Sequence, residues 1–143
     1  MKRQMYRVIA CLTLCALLAG AVPPASAAGG FQDVPDSHPA AEAIRRCVEL
    51  GFFQGESATR FGMGHSITRG AFAVAASRFF GWDTKDVTKT PTYSDVPADA
   101  WCYGAVEAAV ACGALSSQSG TFRPGDAITR EELAVLLVRA LGY

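Results

Sequence analysis

The chain is poor in the groups that catalysis and metal binding usually need. It has two histidines, His38 and His65, and neither completes a zinc-like spacing with a cysteine. No two of its cysteines form a C-x-x-C pair. Nucleophilic catalysis wants a Ser or Cys beside a His and an orienting acid. Cys47, Cys112 and His65 lie in no recognisable motif of that kind, so the chain is expected not to be an enzyme and to need no cofactor. Net charge is absent too. Thirteen basic side chains balance thirteen acidic ones, which argues against the basic stripe of a general nucleic-acid binder. The apolar and small-residue run Val8 to Val22, broken in polarity only by Thr13, falls short of the roughly 20 residues a membrane-spanning helix needs. Half the residues are hydrophobic and only 18% are charged, a balance that excludes a disordered chain. At 143 residues there is room for one domain or two small repeats, but not for a large two-domain enzyme.

That apolar run has its own explanation. Lys2, Arg3 and Arg7 precede it, Pro23-Pro24 stops it, and Ala25-Ser26-Ala27 is a small-x-small cleavage site. Residues 1–27 therefore read as a secretory signal, with cleavage expected after Ala27 and no membrane span left after processing. Removing it leaves ten basic and thirteen acidic side chains, a net charge of −3, and three cysteines, Cys47, Cys102 and Cys112. An odd number does not make a disulfide framework, so these cysteines are expected to serve as small core residues.

What remains is one unit written twice. Phe31-Gln32-Asp33-Val34-Pro35 returns as Tyr93-Ser94-Asp95-Val96-Pro97, 62 positions later, and Ala43-Ile44 and Gly51 return as Ala105-Val106 and Gly113. After a one-residue deletion the offset is 61: Phe61 matches Phe122, Ile67-Thr68-Arg69 matches Ile128-Thr129-Arg130, and Arg78 matches Arg139. The repeats span residues 31–82 and 93–143, joined by a polar linker, 83–92.

Each repeat reads as helix, loop, helix, so the fold is expected to be all-α. Ala40, Ala43, Ile44, Cys47 and Val48 fall on one helical stripe, with Pro39 at a first helical position and Gly51 as a C-terminal cap. Cys102, Ala105, Val106, Ala109 and Val110 repeat that phase before Gly113. Cys102 and Cys112 would lie about 15 Å apart along that helix, too far to pair. For the second helix, Thr129 is the expected N-cap and Glu132 completes a capping box, flanked by Ile128 and Leu133 as a hydrophobic staple. Leu133, Leu136, Leu137, Ala140 and Leu141 form its stripe. Thr68 caps the corresponding helix of the first repeat, whose stripe is Phe72, Ala75, Ala76, Phe79 and Phe80, with Ala71 where the box acid would stand.

Arg69 and Arg130 each occupy a first helical position. A cation there faces the positive end of the helix dipole at a cost of roughly 0.3–1 kcal/mol. Two readings stay open: the arginine holds an anion beside free helix N–H groups, or it bonds a nearby Asp, Asp33 or Asp95.

In order, F-x-D-V-P, an Ala-rich helix ending in Gly, F-x-P and I-T-R-x-E opening a last helix resemble the S-layer homology domain. The likeness covers residues 31–82 and 93–143. It implies two tandem helix-loop-helix repeats packed together, forming a non-catalytic module that attaches exported proteins to the bacterial cell wall. The implied partner is secondary cell-wall polysaccharide, often carrying an acidic pyruvate ketal, and the implied location is the cell surface. By resemblance, Arg69 and Arg130 are ligands to that anion. Trp101 occupies the family's aromatic position, where it either stacks on a sugar or packs under the loop. The first repeat departs from the pattern, with Pro39 in place of Trp101, Met63 in place of Pro124, and Gly70-Ala71 in place of Glu131-Glu132. The family usually presents three repeats about a pseudo-threefold axis with ligand grooves between neighbours. Two are read here, so the chain itself, or another protein of the family, is an expected further partner. The alternative function is a structural or assembly protein that kept the fold and lost glycan binding.

Overall fold

The computed structural model describes residues 30–116 and 120–143; the expected signal, residues 1–27, lies outside them. The described residues form four helices and no β-strand: α1 (Ala41–Glu49), α2 (Arg69–Phe80), α3 (Tyr103–Ala111) and α4 (Arg130–Ala140). The architecture is all-α.

α1 begins two residues after Pro39. His38 Nδ1 accepts the Ala40 N–H at 3.1 Å and the His38 carbonyl accepts that of Ala41, so residues 35–40 form a turn that precedes the helix. The buried phase is set by Ala41, with Ile44, Cys47 and Val48 half-buried; Ala43, expected on the stripe, faces solvent. Beyond the C-cap Leu50, Gly51 adopts φ 75°. Its N–H bonds to Val48 O while that of Phe52 reaches Cys47 O, a Schellman closure that a left-handed glycine makes cheap.

α2 and α4 start alike. Thr68 Oγ1 accepts the Ala71 N–H and Thr129 Oγ1 accepts that of Glu132, both at 3.2 Å. The Glu132 carboxylate returns to the Thr129 N–H at 2.9 Å, completing the box.

The core is centred on α3, which is buried nearly all round. Cys102, Tyr103, Ala105 and Val106 join Ala73 of α2 with Tyr93, Val96 and Phe122 in one cluster. Ala76, Ala109, Ala114 and Leu136 form a second. Glu107 is buried on this helix, where its carboxylate receives the Thr92 N–H at 2.8 Å and the Thr92 hydroxyl at 2.7 Å. Tyr103 donates its hydroxyl to Thr88 O at 2.7 Å. Residues of the polar 83–92 segment are thereby tied to α3.

Three further expected core positions are exposed. Leu141 and Phe79 lie at helix ends, Phe79 keeping edge-on contacts with the rings of Phe52 and Phe80. Cys112 sits at the C-cap of α3, exposed, with its thiol donating to Ala109 O at 3.4 Å. Cys102 is buried, and burial pushes its thiol above the ordinary range.

Candidate functional site

The recurring aspartates organise the two loops. Asp33 accepts the N–H groups of Phe61, Gly62 and Met63 at 2.8, 2.7 and 3.0 Å. Asp95 accepts those of Phe122 and Arg123, both at 2.7 Å. Aromatic pairs brace the same junctions, Phe31 with Phe61 and Tyr93 with Phe122, each with ring centroids 5.5 Å apart. The amide of Phe61, joined by those of Met63 and Gly62 and opposed by desolvation, lowers Asp33 to a pKa of about 2. For Asp95, desolvation pulls upward and is outweighed by the Phe122 and Arg123 amides, so its pKa also falls. Among the described residues neither aspartate bonds an arginine side chain; their carboxylates face backbone amides instead, so the Arg–Asp pairing considered from sequence is not formed.

Arg69 is held by the other repeat instead. Its Nε donates to Phe122 O at 2.6 Å, its NH1 pairs with Glu132 Oε1 at 2.5 Å, and its guanidinium lies 4.7 Å from the Phe122 ring centroid. The side chain is 14% exposed. The backbone alongside is paired too: Arg69 N donates to Asp126 O, Gly70 N to Pro124 O and Ile128 N to Ile67 O, at 2.8, 2.9 and 3.0 Å. With the Ala71 N–H on the Thr68 hydroxyl, the first three amides of α2 all have partners. The dipole cost of a cation at this helix start is offset by Glu132, the acid that the first repeat lacks in its own sequence. Glu132 also meets Arg123 NH2 at 2.9 Å. Its pKa falls chiefly through the Thr129 amide, against desolvation, with Arg69 adding to the effect.

Arg130, the equivalent position, has different surroundings. It is exposed, and among the described residues its guanidinium has no ion-pair partner and neither its amide nor that of Glu131 has a hydrogen-bond partner. The two arginines that sequence placed in one role are thus one engaged cation and one open one.

Trp101 is 67% exposed and is not packed under the loop. The edge of its ring meets Gly70: a Cβ there would lie 2.9 Å from Trp101 Cζ2 and 3.0 Å from Pro124 O. This close approach explains why Gly70 stands where the second repeat has Glu131. Trp101 lies between two hollows. One, of about 650 Å³, includes Phe52, Phe53, Phe61, His65 and Arg78. The other, of about 470 Å³, includes Ser77, Arg78, Trp82 and Gly104. Arg69 and Glu132 line a third, of about 200 Å³; Arg130 lines none of the three. The structure therefore brings Trp101 next to the start of α2 but not into a hollow shared with Arg130.

Arg78 was not singled out from sequence as a site residue. It is exposed, lines both hollows beside Trp101, and recurs as Arg139 in the second repeat. That recurrence was the available signal. His65 and Glu56 also meet on the rim of the larger hollow, Nδ1 to Oε1 at 2.6 Å. Among the described residues no group of three or more His, Cys, Asp or Glu is arranged to hold a metal ion, and no helix is long and apolar enough to cross a membrane.

The arrangement is an arginine-bearing, aromatic-walled surface. A family model described as the S-layer homology domain matches residues 30–73 and 92–134. The surface-layer 125 kDa protein of Lysinibacillus sphaericus is 35% identical over 127 residues, covering 87% of this chain and 10% of that protein. The amylopullulanase of Thermoanaerobacterium thermosulfurigenes is 30% identical over 110 residues, covering 77% of this chain and 6% of that protein. The S-layer protein sap of Bacillus anthracis is 30% identical over 135 residues, covering 94% of this chain and 16% of that protein. The chain thus spans a small part of the length of these relatives. The matched segments hold both aspartate anchors and both threonine-capped helix starts, and on that ground the chain belongs to the S-layer homology domain family.

Proposed function

We propose that this chain is an exported, non-catalytic module of two tandem helix-loop-helix repeats that attaches to anionic, pyruvylated secondary cell-wall polysaccharide. As a member of its family it is a bacterial cell-surface anchoring module; the polymer and its contacts are the further step. The observation that carries this step is Trp101, a largely exposed indole between two hollows that share Arg78. A flat apolar ring beside a guanidinium suits a sugar bearing an acid: the ring covers the apolar face of the pyranose and the guanidinium meets the carboxylate. Arg130 adds a second open cation, next to two unpartnered helix amides that favour an anion. Arg69 contributes less to polymer binding, because Phe122 O and Glu132 already occupy its guanidinium.

The test is sedimentation of the exported chain with isolated wall material, before and after removal of its non-peptidoglycan polymer. Binding is expected to depend on that polymer, and Trp101→Ala is expected to weaken it by about tenfold or more. Binding that survives polymer removal would overturn the reading.

The engaged state of Arg69 favours a second reading, an assembly protein that keeps the fold without the glycan site. Under it the chain would self-associate and ignore the wall polymer in the same sedimentation series.

A further inference from the structure

The contact between the two repeats is directional. Residues 67–77 of the first repeat supply the donors Arg69 N, Arg69 Nε and Gly70 N, the acceptor Ile67 O and a small-residue helix face. The second repeat supplies the carbonyls of Phe122, Pro124 and Asp126 and the buried face of α3. Because the unit occurs twice, each half of this contact has a counterpart elsewhere in the chain. The counterpart of the donor edge is Arg130 and Glu131 on α4, whose amides are unpartnered among the described residues. The counterparts of the acceptor carbonyls are those of Phe61, Met63 and His65, and among the described residues none of the three accepts a hydrogen bond.

The apolar faces follow the same pattern. On α2, Ala73 and Ser77 are buried against α3; on α4 the matching Ala134 and Val138 are exposed, Val138 by 50%, with Leu141 at 63% beside them. On α3, Ala105 and Ala109 are buried; on α1 the matching Ala43 is exposed and Cys47 half-buried. The chain thus carries both halves of a contact it makes once internally; the spare half on α4 is exposed and the one on α1 partly so.

We propose that a second copy of this chain docks head to tail on the open edge of α4, presenting its 61–65 loop and the Ala43–Cys47 face of α1. The contact repeats the one that joins residues 67–77 to 102–126, with Arg130 reaching the Phe61 carbonyl as Arg69 reaches that of Phe122. Two features of the internal contact are not reproduced: Ala71 stands where Glu132 would supply the carboxylate, and Glu131 stands where Gly70 passes Pro124 O with little room for a Cβ, so the Met63 carbonyl must sit a few tenths of an ångström further out. The intermolecular contact is accordingly the weaker one and depends on concentration. It is heterologous, so it closes into a ring or extends as a filament. A docked copy and a polymer anion would compete for Arg130.

The proposal does not rest on the polymer reading, and its test uses no wall material. Sedimentation velocity of the exported chain over a wide dilution series is expected to show reversible association. Val138→Asp and Ala43→Asp change opposite, exposed faces, and each is expected to weaken association at least about tenfold. Each variant keeps one intact face, so an equimolar mixture is expected to form a complex of two copies and stop there. Circular dichroism verifies that each variant folds; should Val138→Asp lose helix content, Leu141→Glu probes the same face. Ala71→Glu supplies the missing carboxylate and is expected to tighten association about tenfold. A chain that stays monomeric at every concentration, or a mixture of the two aspartate variants that fails to associate, would overturn the proposal.

Discussion

Asp33 and Asp95 stand at the start of each repeat, and each spends its carboxylate on the backbone of a loop about 28 residues away. A charged acceptor facing two or three amides is stronger than a neutral one, and it is lost when the carboxylate is protonated. The folded pKa of Asp33, about 2, lies below the ordinary 3.8. Its contribution to stability is therefore fully present above pH 3.8 and is lost as pH falls toward 2. Asp95 and Glu132 are shifted in the same direction, so all three act on the acid side and none near neutrality. Urea unfolding followed as a function of pH is expected to be flat between about pH 5 and 8 and to decline below pH 5. Asp33→Asn keeps an acceptor oxygen but removes the charge; it should lower stability at neutral pH and flatten the acid decline. An unchanged acid limb in Asp33→Asn would show that this carboxylate does not carry the linkage. Sequence marked these aspartates as repeated but not as loop anchors, because their partners are backbone amides far along the chain, which side-chain identities do not encode.

Among the helices, the threonine-capped starts of α2 and α4 were legible because capping is local: the residues involved lie within one turn. Thr129→Ala is expected to cost about 1 kcal/mol, within a usual range of 0.5–2, read as a shift in urea midpoint. Glu132→Ala should cost more than Thr129→Ala. The Glu132 carboxylate holds the Thr129 amide and also meets the guanidinium groups of Arg69 and Arg123, so its loss leaves a largely enclosed cation without its acid. Equal midpoints for the two variants would indicate that the Arg69–Glu132 pair adds nothing beyond the cap. Burial along the helices was less legible than their caps. The α3 stripe was foreseen, yet Tyr103, Glu107 and Ala108 are buried as well, because α3 lies at the centre of both apolar clusters and is covered from more than one side. On α1, Ala43 lies on the periodic stripe but is exposed. Periodicity identifies a face; it does not say whether another element arrives to cover it.

For the molecule as a whole, the repeat was plain from sequence while its asymmetry was not. Two copies of I-T-R suggested two copies of one site. In the fold the first is consumed by the junction with the second repeat, and the second stands open. Identical local sequence thus has two jobs, decided by what lies beyond it, and the two arginines should separate when mutated. Arg69→Ala removes a charge-assisted hydrogen bond, an ion pair and a contact with the Phe122 ring, all at a junction with 14% side-chain exposure. A loss of about 2–3 kcal/mol is expected, within the 1.5–3 range for hydrogen bonds to charged groups. Wall affinity of the folded fraction should change little. Arg130→Ala removes an exposed cation from the positive end of a helix, which should stabilise α4 by roughly 0.3–1 kcal/mol. If Arg130 holds the acidic group of the polymer, the same change should weaken wall binding by about 10- to 150-fold, the equivalent of 1.5–3 kcal/mol. Stability moves in opposite directions in the two variants and wall binding falls only in Arg130→Ala, so general misfolding cannot produce that loss of binding. Thermal melts and sedimentation with wall material on the same two preparations decide it. An Arg130→Ala protein that melts lower than wild type and binds walls as well would remove Arg130 from the site and return it to a structural role.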